Sequence, residues 1–594
     1  MWLVEEFSIL QLRALAPALL TAAWGLPLLA QPPAAPAPSF GEVVEVNVVN
    51  VEVYVTDRDG KRVTGLKKDD FAVLEDGSPV AITNFEAVAV QAAPAGPQGG
   101  AEPQVPSVAP AEPGPESWLN LVVFVDNLHL RPESRTRAIE QLRRFLARNL
   151  RPLDRVMVAT HDLGLQVRQP FTGDPAALDA ALRQVETLPS FGVQADQARR
   201  SALRTMSSIH EVNPCSFEMM TPIESYAEQT RDEAQRTVGA LKFTVNSLAG
   251  IPGRKAVLYI SDGLPSTPGE ELFQVVYEIC AGGGATSGPP GDPLARSVPG
   301  ADVTGYPATQ ALTDAQKYSI AERFTDLAAH ANANRVTFYT LQASGLRGFA
   351  AAESDLDPGE RALQLMAVQQ VQTTNWRNSL SVMAADTGGR TMLDTNDFLP
   401  DLGRMREDFS VYYSLGYTPA HTGDGRQHRI EVKVKKPGLK VRYRRSYRDK
   451  PLAERIVDRT LAALFHGIED NPLEIAMEIG DQVPGANGEY AVPIRLKIPI
   501  FRLAVVNQQE IYRAKLRLLV ATGDAKGGTS PVRSVEVPIQ IPRKQVLNAM
   551  GQYYLYTLTL KMKGGEQRVA IAVRDELAAA TSYLTRKVAV GGGA

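Results

Sequence analysis

Apolar and polar positions along the chain follow three successive rhythms. In residues 43 to 88, Val44, Val46 and Val48 share one face, while Val49, Val51, Val53 and Val55 share the other. A period of two marks a half-buried strand, and the change of phase at Val48-Val49 predicts a bulge or a strand crossing between two sheets. Asp57-Arg58-Asp59-Gly60 and Glu75-Asp76-Gly77-Ser78 are turn sequences, with glycine supplying positive φ. The Pro/Ala/Gly-rich stretch 91–117 has no periodicity and reads as a linker.

The second rhythm begins at Trp118. "LVVFVDNLHLRP", residues 121–132, opens as an unbroken apolar run and turns polar at Asp126. A strand buried on both faces has this form. Pro132 suits a first helical position, and Ile139, Leu142, Leu146 and Leu150 give the following helix one apolar side. The strands "DRVMVATHD", "LQVRQPFT", "KAVLYISDG" and "RVTFYTLQA" then alternate with helices. These begin at Asp174-Pro175, end at Gly250, or run over Ala321 to His330 and Phe398 to Phe409, while "AADTGGRTML" turns from helix to short strand. Such alternation predicts a doubly wound parallel sheet with helices on both faces. Residues 190–225 and 281–312, rich in Gly, Pro and Ser, read as long interrupting loops.

After Phe409 the period returns to two, with Ile430, Val432 and Val434 on one face. Neither 410–449 nor 31–90 is large enough to bury a core alone. They are therefore expected to pack as one β-sandwich around an inserted α/β domain, 118–409. Residues 450–469 hold an amphipathic linker helix, and the short alternating strands of 470–594 predict an immunoglobulin-like β-sandwich. The fold class is thus α/β plus β: a doubly wound, Rossmann-like domain inserted in one sandwich and followed by another.

Composition narrows the function classes. The 594 residues are 44% hydrophobic with a formal charge of -3, without the basic surplus of a nucleic-acid binder. The locally basic stretch near residue 440 alternates with Val434, Val441 and Tyr443, as the wet face of strands does. Residues 1–30 carry Arg13 and an apolar run ending in Leu28-Leu29-Ala30, the pattern of a secretory signal peptide. A retained anchor is the competing reading. No later segment reaches the roughly 20 apolar residues that span a bilayer, which points to a secreted, periplasmic or cell-envelope location. The two cysteines, Cys215 and Cys280, either pair in that oxidising setting or stand as buried thiols.

The strand ending at Asp126, the "YISDG" strand ending at Asp262 and the "AADTGGR" turn together resemble a von Willebrand factor A domain. The flanking "FAVLEDGSPVAITNF" and "YYSLGYTP" are similar to the VWFA-related (acidobacterial-type) family of exported bacterial proteins, and the resemblance spans roughly residues 43 to 449. It implies a divalent ion, usually Mg2+, held at the carboxyl edge of the sheet by two aspartates, two serines and a threonine. Asp126 and Asp262 fall on the carboxylate positions, but the serine positions are Leu128 and Leu130. No threonine can be placed; Thr205 and Thr221 are only nearby in sequence. Asn127, His129, Ser134 and Gly263 complete the candidate binding edge. His129 would suit a transition metal better than magnesium.

Two carboxylates and water hold Mg2+ weakly, so the expected metal site is degenerate. Ligands of open α/β sheets gather outside the carboxyl ends of the strands, and loop-mediated recognition of a protein partner survives loss of the ion. Enzyme signatures are missing. "HEVNP" at His210 lacks a second zinc histidine, no nucleophile elbow or phosphate loop occurs, "AGGGATSG" fits no nucleotide fingerprint, and "THD" at 160–162 has no nucleophile beside it. The reading is a non-enzymatic adhesion or interaction protein. A structural or assembly component of the envelope is the first alternative, and an unrecognised hydrolase the second.

Overall fold

The computed structural model describes residues 48–89, 119–162, 164–282, 306–346, 366–524 and 528–591. The signal-peptide and 91–117 linker expectations lie outside the described residues. Two compact units emerge, one over 47–462 and one over 463–594.

In the first unit, strands β1 (Val49–Thr56), β2 (Phe71–Glu75), β3 (Ser78–Val80) and β4 (Ile82–Ala89) precede the α/β domain. That domain contributes β5 (Leu119–Asp126), β6 (Arg155–His161), β7 (Leu165–Thr172), β8 (Arg254–Ser261), β9 (Val336–Gln342) and β10 (Thr391–Met392). Its helices are α1 (Pro132–Asn149), α2 (Pro175–Glu186), α3 (Gly192–Val212), α4 (Met220–Leu248), α5 (Glu270–Gly282), α6 (Ala308–Gln316), α7 (Ala321–Ala333), α8 (Met366–Asp386) and α9 (Leu399–Asp408). Strands β11 (Val411–Tyr417), β12 (Gln427–Val434), β13 (Lys440–Arg442) and β14 (Ser446–Arg448) follow it, then helix α10 (Leu452–His466).

The central sheet has the order β10-β9-β8-β5-β6-β7. All its pairings are parallel except β6 with β7. Winding outward in both directions from β5 and β8 is the doubly wound order, and with its antiparallel edge strand this sheet has a von Willebrand A-like fold. Alternation explains the layers: Leu121, Val123 and Val125 pack with Ile139, Leu142, Leu178, Leu182, Leu402 and Met405. Val122 and Phe124, one residue out of phase, are equally buried in the opposite layer. Both faces are covered, so the strands read as continuous apolar runs.

The flanking strands form two four-stranded sheets, β13-β1-β11-β4 and β14-β12-β2-β3. Segments before and after the inserted domain contribute two strands each to both sheets and share one core that includes Val51, Val53, Phe71, Tyr413, Leu415 and Ile430. The residues before Val48 that set the expected phase change lie outside the described residues; in β1, Val49, Val51, Val53 and Val55 face inward.

An ionic cluster holds the α/β domain to this sandwich. The buried Asp408 at the end of α9 pairs with Arg62, with Arg442 at 2.6 Å and with Arg390 at 3.2 Å, and accepts the Tyr339 hydroxyl at 3.2 Å. Beside it, Arg254 donates to Glu52 at 3.0 Å and to the Tyr54 hydroxyl at 2.6 Å, both on β1. Arg254 opens β8, so the amino edge of the central sheet meets the sandwich and the carboxyl edge points away.

Residues 190–225 depart from expectation. They are not a long loop but mostly helix, α3 and the start of α4. Of the Gly, Pro and Ser residues that suggested a loop, Ser190, Gly192, Pro214, Ser216 and Pro222 sit at helix ends or in the short turn between helices, while Ser201, Ser207 and Ser208 are absorbed into α3. Residues 281–312 lie largely outside the described residues, with α6 beginning at Ala308.

The second unit packs two antiparallel sheets. One is built on Glu489–Pro499 with Ala476–Ile479, Val483–Pro484 and Tyr553–Lys563; the other on Ile511–Asp524 with Val506–Gln508, Arg533–Pro542, Gly565–Asp575 and Thr581–Val590. Val492, Ile494 and Leu496 of the first meet Leu516, Leu518 and Val573 of the second in one core.

Candidate functional site

The register sets Asp126 opposite His161 on β6, and Val125 opposite Ile260 on β8. The tips of β5 and β8 are therefore neighbours, with Asp262 one residue beyond β8. Both carboxylates are buried: Asp126 is 0% and Asp262 3% exposed. The sequence suggested a ligand-binding edge here; the structure covers it.

Residues 127–131 form the closure. His129 Nδ1 lies 2.9 Å from Asp126 Oδ2, which also accepts the Tyr259 hydroxyl at 2.5 Å and faces Ser261 Oγ at 3.4 Å. Asp262 Oδ2 accepts the Arg131 amide at 3.1 Å, and its own amide donates to the His129 carbonyl at 3.3 Å. Asn127 donates to Asp162 at 2.6 Å and accepts from Arg135 at 3.3 Å. Ser134 is buried on α1. Gly263 is buried with φ +141, and a side chain there would meet Trp376 Cβ at 2.8 Å.

The charges follow from these contacts. Burial alone raises the Asp126 carboxyl, but the His129 charge and the hydrogen bonds of His129 and Tyr259 outweigh it and hold the group below the usual carboxylate range. Burial likewise lowers His129, and Asp126 outweighs that to raise it. Each partner thus favours the charged form of the other, and His129 lies beside Asp126 where a cation would otherwise offset it. His161, also buried, has both ring nitrogens without a hydrogen-bond partner, and burial lowers it.

This donor set does not fit magnesium. Leu130 is 0% exposed and lies in the apolar core, Leu128 has no oxygen to offer, and Thr205 and Thr221 are exposed on α3 and α4. His129 and Tyr259 occupy Asp126 Oδ2 and only Oδ1 is left without a hydrogen bond, so an ion held there would still need four or more further oxygens. Sequence reasoning weighed His129 as a ligand and missed its role as internal counter-ion. The one available signal was its position three residues after Asp126 across a tight turn.

Helices α3 to α6 form a cap over the same edge. The α3 start is pressed against the 127–131 turn: the Gly192 amide donates to the Leu130 carbonyl at 3.0 Å, and a Cβ on Gly192 would stand 2.6 Å from that peptide. Arg131 and Asp196 pair across the contact. Glu233 and Arg236 of α4 act on the charge of His129. At 1.5 Å per residue, the 29 residues of α4 run about 43 Å against about 26 Å for the eight of β8, so the start of α4 rises well above the sheet. The cap has its own core, with Met206, Met219, Ile223, Leu272 and Phe273. At its tip Cys215 and Cys280 are joined by a disulfide, Cα–Cα 5.7 Å, and the Tyr306 amide donates to the Cys215 carbonyl at 2.7 Å. Val212 and Phe217 beside this staple are 88% and 61% exposed.

Neither a protein-family model nor a curated protein matches the chain. Among solved structures, an aerotolerance-related membrane protein from Bacteroides fragilis is similar at 8% identity and a TM-score of 0.22, over 49% of this chain and 98% of that one. The vWF domain of the type V pili tip protein Mfa5 from Porphyromonas gingivalis is similar at 12% identity and 0.23, over 49% and 94%. The three N-terminal domains of the same pili tip protein align at 11% and 0.23, over 91% and 76%. Strand order and direction carry the fold assignment, not these values.

Proposed function

We propose that this chain is an exported, non-enzymatic protein-binding protein whose A-like domain presents a helical cap, rather than a cation, at the carboxyl edge of its sheet. The observation that carries the reading is the buried His129–Asp126 pair beneath α4, which occupies one oxygen of the carboxylate a metal would need and leaves the exposed cap as the forward face. Val212 and Phe217 supply apolar contact area beside a disulfide that holds the tip rigid, and rigidity lowers the entropic cost of binding. No helix among the described residues is long and apolar enough to cross a membrane. The test immobilises the protein, exposes it to the exported protein fraction of its source and identifies what it retains. Capture should be indifferent to omission of magnesium and fall at least tenfold for the double variant Val212→Ser, Phe217→Ser. Capture that requires magnesium, or that the double variant retains in full, refutes the reading.

One observation favours an assembly role as a second reading. The strand Tyr553–Lys563 pairs on one side with Glu489–Pro499 and, among the described residues, with nothing on the other. It contains no proline, and Tyr553 and Leu555 are 58% and 60% exposed. A long unprotected edge is a template for strand addition. Sedimentation velocity of wild type against Leu555→Lys decides it: oligomers lost in the variant support assembly, and a monomer in both removes it.

A further inference from the structure

The stretch His421-Thr422-Gly423-Asp424-Gly425-Arg426-Gln427-His428, the turn after β11 and the first two residues of β12, lies over the end of β2 at the rim of the flanking sandwich. It stacks the two imidazoles with ring centres 3.9 Å apart and planes at 14°. Four carboxylates surround them. His421 Nδ1 lies 2.9 Å from Asp449 Oδ2, and His428 Nδ1 lies 2.8 Å from Asp76 Oδ2. With both Nδ1 atoms engaged, the Nε2 atoms face the remaining pair: His421 Nε2 is 3.6 Å from Glu75 Oε2, and His428 Nε2 is 3.2 Å from Asp424 Oδ2. Tyr447 and Tyr417 donate to Glu75 Oε1 at 2.5 and 2.8 Å, which leaves Oε2 available.

We infer that this cluster is a zinc site, with His421 Nε2, His428 Nε2 and Glu75 Oε2 as ligands and Asp424 closing the set. Donor atoms of Glu75, His421 and His428 already lie within 4.8 Å of one another, and a tetrahedral ion with bonds of about 2.1 Å sets its ligands roughly 3.4 Å apart. Two imidazoles with carboxylates suit zinc and disfavour magnesium or calcium, which take oxygen. Asp449 and Asp76 face the Nδ1 atoms, where the orienting partners of metal-bound histidines sit. Binding requires the stacked rings to tilt so that both lone pairs converge on one point, a motion the glycines at 423 and 425 permit, both having positive φ.

The site joins parts of the chain that are far apart in sequence. Glu75 and Asp76 precede the inserted domain, and the other members follow it. Zinc would therefore staple the two halves of a discontinuous sandwich, converting binding energy into folding energy.

The test is calorimetric titration of the metal-free full-length protein with zinc chloride, for wild type, His421→Gln, His428→Gln, Glu75→Gln and Asp449→Asn, each checked for native circular dichroism. Wild type should bind one zinc per chain at micromolar or lower concentration. Each ligand variant should bind at least 100-fold more weakly, and Asp449→Asn about tenfold more weakly. Cobalt in place of zinc should give the visible absorption of a tetrahedral N/O site in wild type alone. Wild type that takes up no zinc, or ligand variants that take it up unchanged, overturns the proposal. If a variant fails to fold, the wild-type titration and the cobalt spectrum still decide.

Discussion

Replacing Asp408 with alanine tests the junction between the inserted domain and its sandwich. The side chain is 0% exposed, and the Arg62 side chain paired with it is only 5% exposed. Removing the carboxylate leaves Arg62 buried without its counter-ion and takes one partner each from Arg442, Arg390 and Tyr339. Breaking a buried pair from one side costs about 3–5 kcal/mol. With a urea m-value of about 3 kcal/mol/M, the midpoint of the first unfolding transition should fall by about 1–1.7 M. Asp408→Asn keeps an acceptor oxygen but no charge and should fall between. The exposed pair Asp401–Arg404 gives the control, since Asp401→Ala should shift stability by no more than about 0.5 kcal/mol. Burial raises the Asp408 carboxyl, but Arg442, Arg390 and Arg62 together outweigh it and depress it. Its stabilisation is therefore present above the ordinary carboxylate value of about 4 and is lost as pH falls through the depressed one. The alanine variant should lack that acid-limb slope. A urea midpoint within about 0.3 M (roughly 1 kcal/mol) of wild type would refute the claim that this cluster fastens the domains.

Further expectations follow from the cap and its floor. His129→Gln removes the counter-ion of Asp126. Because His129 is raised in the folded state, its contribution is complete below about pH 6.5 and disappears as pH rises through the raised value. Thermal scans from about pH 6 to 9 should show wild type losing an advantage over the variant; parallel profiles would contradict the pair. Gly192→Ala forces a methyl into the Leu130 peptide and should cost about 1–3 kcal/mol, read as faster proteolysis of α3. Cys215→Ser opens a crosslink spanning 65 residues, for which chain entropy gives about 4 kcal/mol. The loss should appear as hydrogen exchange confined to the cap, and uniform exchange across the central sheet would argue against a separable cap.

The central sheet was legible because its strands are buried on both faces: an unbroken apolar run such as Leu121 to Val125 fits a doubly covered strand and little else. Pairing of the two flanking segments was legible from size, since neither could bury Val51 or Ile430 alone. The cap was not. Its first helices mix Gly, Pro and Ser with an apolar face that leans on small or unbranched residues such as Ala202, Met206, Met220 and Ala227, and such a face is weak in a periodicity search. Asp126 and Asp262 were placed at the right edge, yet their burial depends on α3 and α4, which carry no motif. His421 and His428 gave no signal, because the carboxylates that meet them come from Glu75, Asp76 and Asp449, distant in sequence and joined only by strand pairing.

Strand pairing also says how the inserted domain is plumbed into its host. Val411 sits directly across from Ala89 in the β4–β11 ladder, so the chain leaves and re-enters at one spot on the sheet rim. Topologically the whole A-like domain occupies the tip of a hairpin. A two-residue Asn-Gly bridge from 89 to 411 should then yield a miniature that keeps its eight host strands, and any other domain with neighbouring ends could be grafted at that doorway.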